Sequence, residues 1–304
     1  MSKKETDTKA SATANSGLLV PFVLDNIPIR GKFLRIENLA QHVPSLDNAS
    51  NVVTKSIAEL LTGGAVMVNE LKEGANVTLQ IHSPGSVPLM VGRCNHLGEL
   101  KAFAHIDDET TSDELDFNDI SKDNSTFVVT VDYGKSGNRH QSIVELNNTS
   151  VMSSIESYFT QSVQSDTYFK VFTGKSDGKI SVGCLFLQAM PGAEKVSQDD
   201  WHRLGLILST IQMEEILPGQ LTPDEVLFRL FAEDTVRVFP KQPLSFAVPN
   251  TRERMLGALK QIGAKACKDL LDDGTITMTC EYTGQEESFT EDDLKDLFKD
   301  NWDS

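Results

Sequence analysis

The chain has 304 residues, of which 39% are hydrophobic and 24% charged, and its formal net charge is −16. This length suits two or three packed units rather than one small core, and the composition is that of an ordinary globular protein. The acidic balance repels phosphate backbones, so nucleic acid is not an expected partner; no apolar run approaches the ~20 residues that cross a bilayer, so neither is a membrane.

Residues 1–16 are rich in Lys, Glu, Thr, Ala and Ser. They lack the apolar stretch of a signal peptide and the arginines of a transit peptide, and are expected to be a disordered tail. Residues 17–194 read as a mixed α and β core. Leu18 to Leu24 and Ile29 to Ile36 alternate as strands around an Asp25-Asn26 turn. Asn51 to Leu71 has helical spacing of apolar residues. Further strands are expected at Val77 to Ile81, Leu89 to Val91, Leu100 to His105, Phe127 to Asp132 and His140 to Leu146. Ser150 is placed to cap a helix that carries Ile155, Tyr158 and Phe159 on one face. Tyr168 to Phe172 and Ile180 to Gln188 read as a strand pair.

Residues 195–246 change to a helical pattern and read as a linker. Trp201, Leu204, Ile207, Leu208 and Ile211 fall on one helical stripe. Thr222-Pro223-Asp224-Glu225 starts a second helix, with proline at its first position and acids in its first turn; Leu227, Leu230 and Phe231 follow. Residues 247–304 form the last unit, and from Glu281 to Ser304 nine acidic residues face two lysines. That run is either a solvated end or a region poised to open, because like charges oppose compaction.

The motifs for catalysis are missing. Gly174 to Lys179 is one residue short of a phosphate loop and has Ile180 where a magnesium-binding hydroxyl belongs, so a hairpin turn is expected. The six histidines are scattered, without His-x-x-x-His. Cys94 and His96, two positions apart, would share a face if both lay on one strand, but nothing else marks a nucleophile there. No enzyme is expected. The four cysteines, Cys94, Cys184, Cys267 and Cys280, lie far apart, which fits a reducing cytoplasm.

Several segments, in order, resemble the heat-shock protein 33 family of redox-regulated holdase chaperones. Arg30-Gly31-Lys32-Phe33-Leu34-Arg35 is similar to the family's "RGRLVR" strand, and Val77-Thr78-Leu79-Gln80-Ile81 to "LTLQLQ". Tyr158-Phe159-Thr160-Gln161-Ser162-Val163-Gln164 matches "YFxQSEQ" except at Val163, and Leu187-Gln188-Ala189-Met190-Pro191-Gly192 resembles "LLQxLPG". Val236-Arg237-Val238-Phe239, Arg252-Glu253-Arg254 and Glu281-Tyr282 extend the match nearly to the end. The resemblance implies an α+β protein: an N-terminal α/β core, a helical linker and a small C-terminal zinc module. It implies ATP-independent binding of unfolding proteins, core domains that associate as dimers when active, and four cysteine thiolates on zinc. Oxidation of those thiolates would form two disulfides, release the metal and open the client surface.

This sequence departs from that pattern at the metal. Cys280 alone stands at a family ligand position; Val248, Asn250 and Thr283 stand at the other three. A structural zinc site needs four soft ligands, so no zinc and no other cofactor is expected. Residues 247–290 either hold together by apolar packing or open with heat. Phe246, Val248, Met255, Leu259, Ile262, Leu270, Ile276, Met278 and Phe289 are the expected core. The expected function is a holdase freed from its thiol switch, binding unfolded or aggregation-prone clients through Trp201, Leu204, Ile207, Leu208, Ile211, Leu227, Leu230 and Phe231, and forming a homodimer. The alternative is a scaffold that keeps the fold and binds one specific partner.

Overall fold

The alternating segments of the N-terminal half assemble into a single antiparallel-rich sheet. In a computed structural model of the chain, residues 16–302 are described apart from 108–114, 135–136, 147–148, 191–195, 220, 248–250, 272, 281, 283 and 300–301. The expected tail and ligand positions Val248, Asn250 and Thr283 thus lie outside the described residues, Ser16 excepted.

The strands are β1 (Gly17–Leu24), β2 (Ile29–Ile36), β3 (Asn76–His82), β4 (Leu89–Asn95), β5 (Glu99–His105), β6 (Thr126–Asp132), β7 (Arg139–Glu145), β8 (Thr167–Ser176), β9 (Lys179–Ala189), β10 (Val236–Val238) and β11 (Gln242–Phe246). They lie in the order β7-β6-β3-β4-β5-β11-β1-β2-β9-β8, with β10 beside β1. Every pairing is antiparallel except β11 with β5. The β8–β9 hairpin turns at Asp177 and Gly178, both at positive φ (49° and 75°), which matches the twist of a two-residue loop. The stretch from Gly174 to Lys179 is therefore hairpin, as its spacing predicts.

The period-2 pattern sorts side chains to two faces. On β9, Val182, Cys184 and Phe186 join a core under the central helix, while Leu185 and Leu187 join a second core on the other side. The first core is organised by α2 (Asn51–Val68), which follows the short α1 (Leu39–His42). Ser50 caps α2 by accepting the Val53 N–H at 3.4 Å. The helix sits close on β4 because Gly92 has no side chain: a Cβ there would lie 2.7 Å from Leu60 Cβ. Two short elements complete the core, α3 (Phe117–Ile120) and α4 (Val151–Tyr158), the latter capped by Ser150 as its sequence predicts.

The helical reading of residues 195–246 holds only for its first part. Helices α5 (Gln198–Thr210), α6 (Met213–Ile216) and α7 (Pro223–Leu230) pack on the second core, but the segment then returns to the sheet as β10 and β11. Strands of three and five residues are too short to show an alternation. They form because β1 and β5 present open edges that β11 bridges.

The C-terminal unit contains α8 (Thr251–Ile262), α9 (Ala264–Leu270), a hairpin of β12 (Thr275–Thr279) with β13 (Glu286–Thr290), and α10 (Glu291–Phe298). Gly263 at φ 91° separates α8 from α9. Part of the acidic run has a local role: Thr290 and Asp293 form a capping box, and Glu291, Asp292 and Asp293 sit at the positive end of α10. Its core is Met255, Leu259, Cys267, Ile276, Cys280, Phe289, Leu294 and Trp302. The expected core is corrected at three positions. Phe246 belongs to the first core, stacked on His42 at 4.6 Å, because it ends β11 in the large sheet. Ile262 and Leu270 end their helices on the outward side and are 50% and 56% exposed.

Candidate functional site

The helical face read from the sequence exists, and it faces the sheet. Ser197 caps α5 by accepting the Asp200 N–H at 3.0 Å, and Thr222 with Glu225 forms a capping box at α7 behind Pro223. These caps fix the helical phase that turns the apolar stripes inward. Leu204, Leu208, Ile211, Leu227 and Phe231 are buried, and Trp201, Ile207 and Leu230 pack against them half-buried. All eight predicted residues therefore meet in one cluster with Val20, Phe22, Leu24, Ile29, Phe33, Leu185 and Leu187 of the sheet. Trp201 stacks on Tyr168 with centroids 4.4 Å apart, and Phe231 leans on Phe22 at 5.7 Å. Ile211 lies just past α5, where it is the extended C-cap residue rather than part of the helix.

Sequence periodicity missed the outer side of the same segment. Leu206, Phe228 and Phe239 are exposed large apolar residues there. They fall off the buried stripes, and only their exposure marks them.

Two charged latches hold the segment down. Arg35 of β2 is buried and donates to three backbone carbonyls: Nε to Ile216 at 2.7 Å, and its terminal nitrogens to Leu221 at 2.9 Å and Glu215 at 3.1 Å. It thereby neutralises the negative end of α6. Close approach there depends on Gly183 of β9, where a Cβ would lie 2.7 Å from the Ile216 carbonyl oxygen. The second latch is Asp234, whose side chain is 1% exposed and receives two Arg203 bonds at 2.8 and 2.9 Å. Asn26 Nδ2 adds a third at 2.8 Å, tying α5 to the turn between β1 and β2. Burial pushes the Asp234 carboxyl up, but the Arg203 and Asn26 bonds outweigh it and hold it below its ordinary value.

On the α2 side, Lys32 of β2 is buried, donates Nζ to the Val66 carbonyl at 2.7 Å and pairs with Glu70, which also pairs with Arg30. Burial lowers its pKa to about 8, against the pull of Glu70.

In the C-terminal unit the Cys280 N–H donates to the Gln285 carbonyl at 2.8 Å, and the Gly284 N–H to the Cys280 carbonyl at 2.7 Å. This tight loop rests on the large sheet. Tyr282 meets Phe103 of β5 edge-on at 4.9 Å, and Arg254 lies over Tyr282 at 5.5 Å. Cys267 is buried in the same apolar core as Cys280, with its Sγ 3.5 Å from the Leu259 carbonyl. A donor set of Cys280, Asn250, Thr283 and Val248 does not fit a four-thiolate zinc site, because three of the four supply no soft anionic ligand. Among the described residues, no group of three or more His, Cys, Asp or Glu is arranged to hold a metal.

Cys94 is fully buried, and burial, followed by Glu99, pushes its thiol well above the ordinary range. That suits a core residue rather than a nucleophile. No helix among the described residues is long and apolar enough to cross a membrane.

Comparison with known proteins agrees with this architecture. The family model described as Hsp33 protein matches residues 17–290. The chain is 29% identical over 277 residues to a 33 kDa chaperonin of Escherichia coli, covering 91% of this chain and 93% of that one. It is 30% identical over 283 residues to a 33 kDa chaperonin of Pseudomonas savastanoi, covering 91% and 92%. The crystal structure of the 33 kDa chaperonin from Thermotoga maritima superposes with a TM-score of 0.77 at 17% identity, covering 95% of this chain and 100% of that one.

Proposed function

The chain belongs to the Hsp33 family of chaperones, and from that premise we propose that it is an ATP-independent holdase working without a zinc and disulfide switch. The observation that carries this reading is the face of α5 and α7, an apolar surface covered by its own sheet and held there by Arg35 and the Arg203–Asp234 pair. Released from the sheet, that surface binds exposed apolar segments of unfolding proteins. No nucleotide site and no catalytic step enters.

Magnitudes decide how it opens. Burying one large apolar side chain contributes about 1.5–3 kcal/mol. Baring Leu204, Leu208, Ile211, Leu227 and Phe231 together therefore costs roughly 10 kcal/mol. Such an opening is too rare at rest to capture clients, so the linker opens when heat weakens it or when the C-terminal unit leaves β5. That unit has about 45 residues, near the lower limit for independent folding, and it has apolar packing where a metal would add ~10 kcal/mol or more. Heat is the trigger this arrangement favours, and four buried cysteines suit a cytoplasmic setting.

Light scattering tests the reading: a chemically unfolded client is diluted into the fully reduced protein, without oxidant or nucleotide, at rest and after warming. Suppressed aggregation of several unrelated clients is the expected result. Undiminished aggregation of all of them at both temperatures overturns it and leaves the scaffold role.

A further inference from the structure

Lys and Arg number 28 against 44 Asp and Glu, so a cation on this chain has acids to spare as partners. Three cations nevertheless gather without one. Arg93 of β4 and Lys101 of β5 stand directly opposite each other in their antiparallel pair. Cys94, Leu100 and Ala102 beside them belong to the first core under α2, so the period of two turns Arg93 and Lys101 to the other face of the sheet. Arg254 comes to the same face from α8. Its guanidinium lies 5.5 Å over the Tyr282 ring, and Tyr282 meets Phe103 at 4.9 Å, two residues along β5 from Lys101. The three cations thus line the seam where the C-terminal unit rests on the large sheet.

Like charges directly opposite on neighbouring strands destabilise a sheet. Among the described residues nothing offsets that here, because none of the three makes an ion pair. Arg93 donates to the neutral Asn76 side chain at 3.3 Å. Glu99, two residues before Lys101, has its carboxylate turned to the Asn95 amide, from which it accepts at 2.6 Å. Burial lowers the Lys101 pKa, and the charges of Arg254 and Arg93 lower it further; Glu99 and Cys280 oppose them only in part. The seam is therefore a pocket of positive charge on an acidic chain.

We propose that this seam binds a multivalent phosphate anion, held between Arg93 and Lys101 of the sheet and Arg254 of the C-terminal unit. An arginine fork matches phosphate oxygens with two parallel N–H donors, and a lysine adds a point charge. Thr78, opposite Arg93 on β3, adds a hydroxyl on the same face. Arg93 and Arg254 are exposed and Lys101 is half-buried, so an anion reaches all three from solvent. The cations are gathered at one place rather than spaced along a line, which suits a compact anion and not an extended acidic peptide. The rest of a surface at −16 repels such an anion and confines it to this seam. A ligand that touches both bodies favours the docked C-terminal unit over the detached one by mass action. The site rests on the arrangement of the seam and not on the holdase reading.

Titration calorimetry of tripolyphosphate into the reduced full-length protein, without client, tests this apart from chaperone activity. The expected Kd is about 0.1 mM, weakened about tenfold in Arg254→Gln and in Lys101→Gln, whose folding is checked by circular dichroism. Trp302 emission in a Trp201→Phe background reports the docked unit: about 10 mM tripolyphosphate raises its melting midpoint, and KCl at matched ionic strength does not. Arg93→Glu sets an acid opposite Lys101, so it raises that midpoint without ligand and abolishes binding. No binding up to about 10 mM overturns the proposal. So do an equal rise with KCl, glutamine variants that bind like wild type, and an Arg93→Glu midpoint no higher than the parent's. A glutamate octapeptide that binds more tightly than tripolyphosphate assigns the seam to acidic segments instead and overturns it as well.

Discussion

Lys32 shows at the scale of one residue how burial and pairing compete. Its ammonium is out of water with Glu70 and the Val66 carbonyl as partners, and burial still wins, taking its pKa from 10.5 to about 8. The native state therefore gives up a proton across a pH range where the unfolded chain keeps it. Stability rises with pH between about 8 and 10.5 and carries the full penalty below about 8, a difference on the order of 3 kcal/mol. Lys32→Met removes the titration and leaves Arg30 to hold Glu70. Urea midpoints measured from pH 7 to 10 should climb more steeply in the wild type than in the variant; parallel curves would refute the buried ammonium. Asp234 shifts stability in the same direction with pH, but through a charge that the fold favours rather than penalises. Its lowered pKa stabilises the fold above the ordinary carboxylate range, and that contribution is lost as pH falls through the lowered value.

Among the elements, the C-terminal unit depends most on a few side chains. Phe289 of β13 is fully buried among Leu259, Ile276 and Leu294, with Arg252 over its ring at 4.8 Å. Truncating a buried phenylalanine costs about 3–5 kcal/mol, comparable to all a unit of this size holds. Phe289→Ala should therefore melt this unit while the large sheet stays intact. The two tryptophans separate the events, because Trp302 is buried in the C-terminal unit and Trp201 lies on α5. In a Trp201→Phe background, the Trp302 emission of the Phe289→Ala variant should shift to the red at a temperature where far-ultraviolet dichroism is still native. A single coincident transition would show instead that the unit and the sheet unfold as one.

For the whole molecule the question is what couples the C-terminal unit to the linker. The unit touches β5 through Tyr282 and Phe103, and the strand that leads into it, β11, is the bridge between the two halves of the sheet. Loss of the unit removes the support at the end of β11 and so loosens the segment that follows α7. On the metal-free reading proposed above, this coupling depends on temperature and not on metal. Wild-type melting by Trp302 emission should stay within experimental error in the presence of a zinc chelator or of added zinc. A chelator that lowers the midpoint would establish a bound metal and overturn the metal-free reading.

Some of this was legible in the residues alone, because it is written in local chemistry. Period-2 alternation marked most of the strands, Ser150 and Thr222-Pro223 marked helix starts, and Gly174 to Lys179 marked a hairpin turn. The ordered run of motifs from Arg30 to Tyr282 marked the family, and the residues at 248, 250 and 283 carry the proposed departure at the metal position. The stripes of α5 and α7 were visible as well, since helical phase needs only spacing. The tertiary structure decided what those stripes touch. It decided that 236–246 becomes strand, because β1 and β5 leave edges that only a distant segment can fill. It decided that Phe246 serves the large core while Ile262 and Leu270 face outward, and that, among the described residues, β7 pairs only with β6. These outcomes depend on pairings between residues far apart in the chain, and no local pattern encodes which edge is left open once all the others are paired.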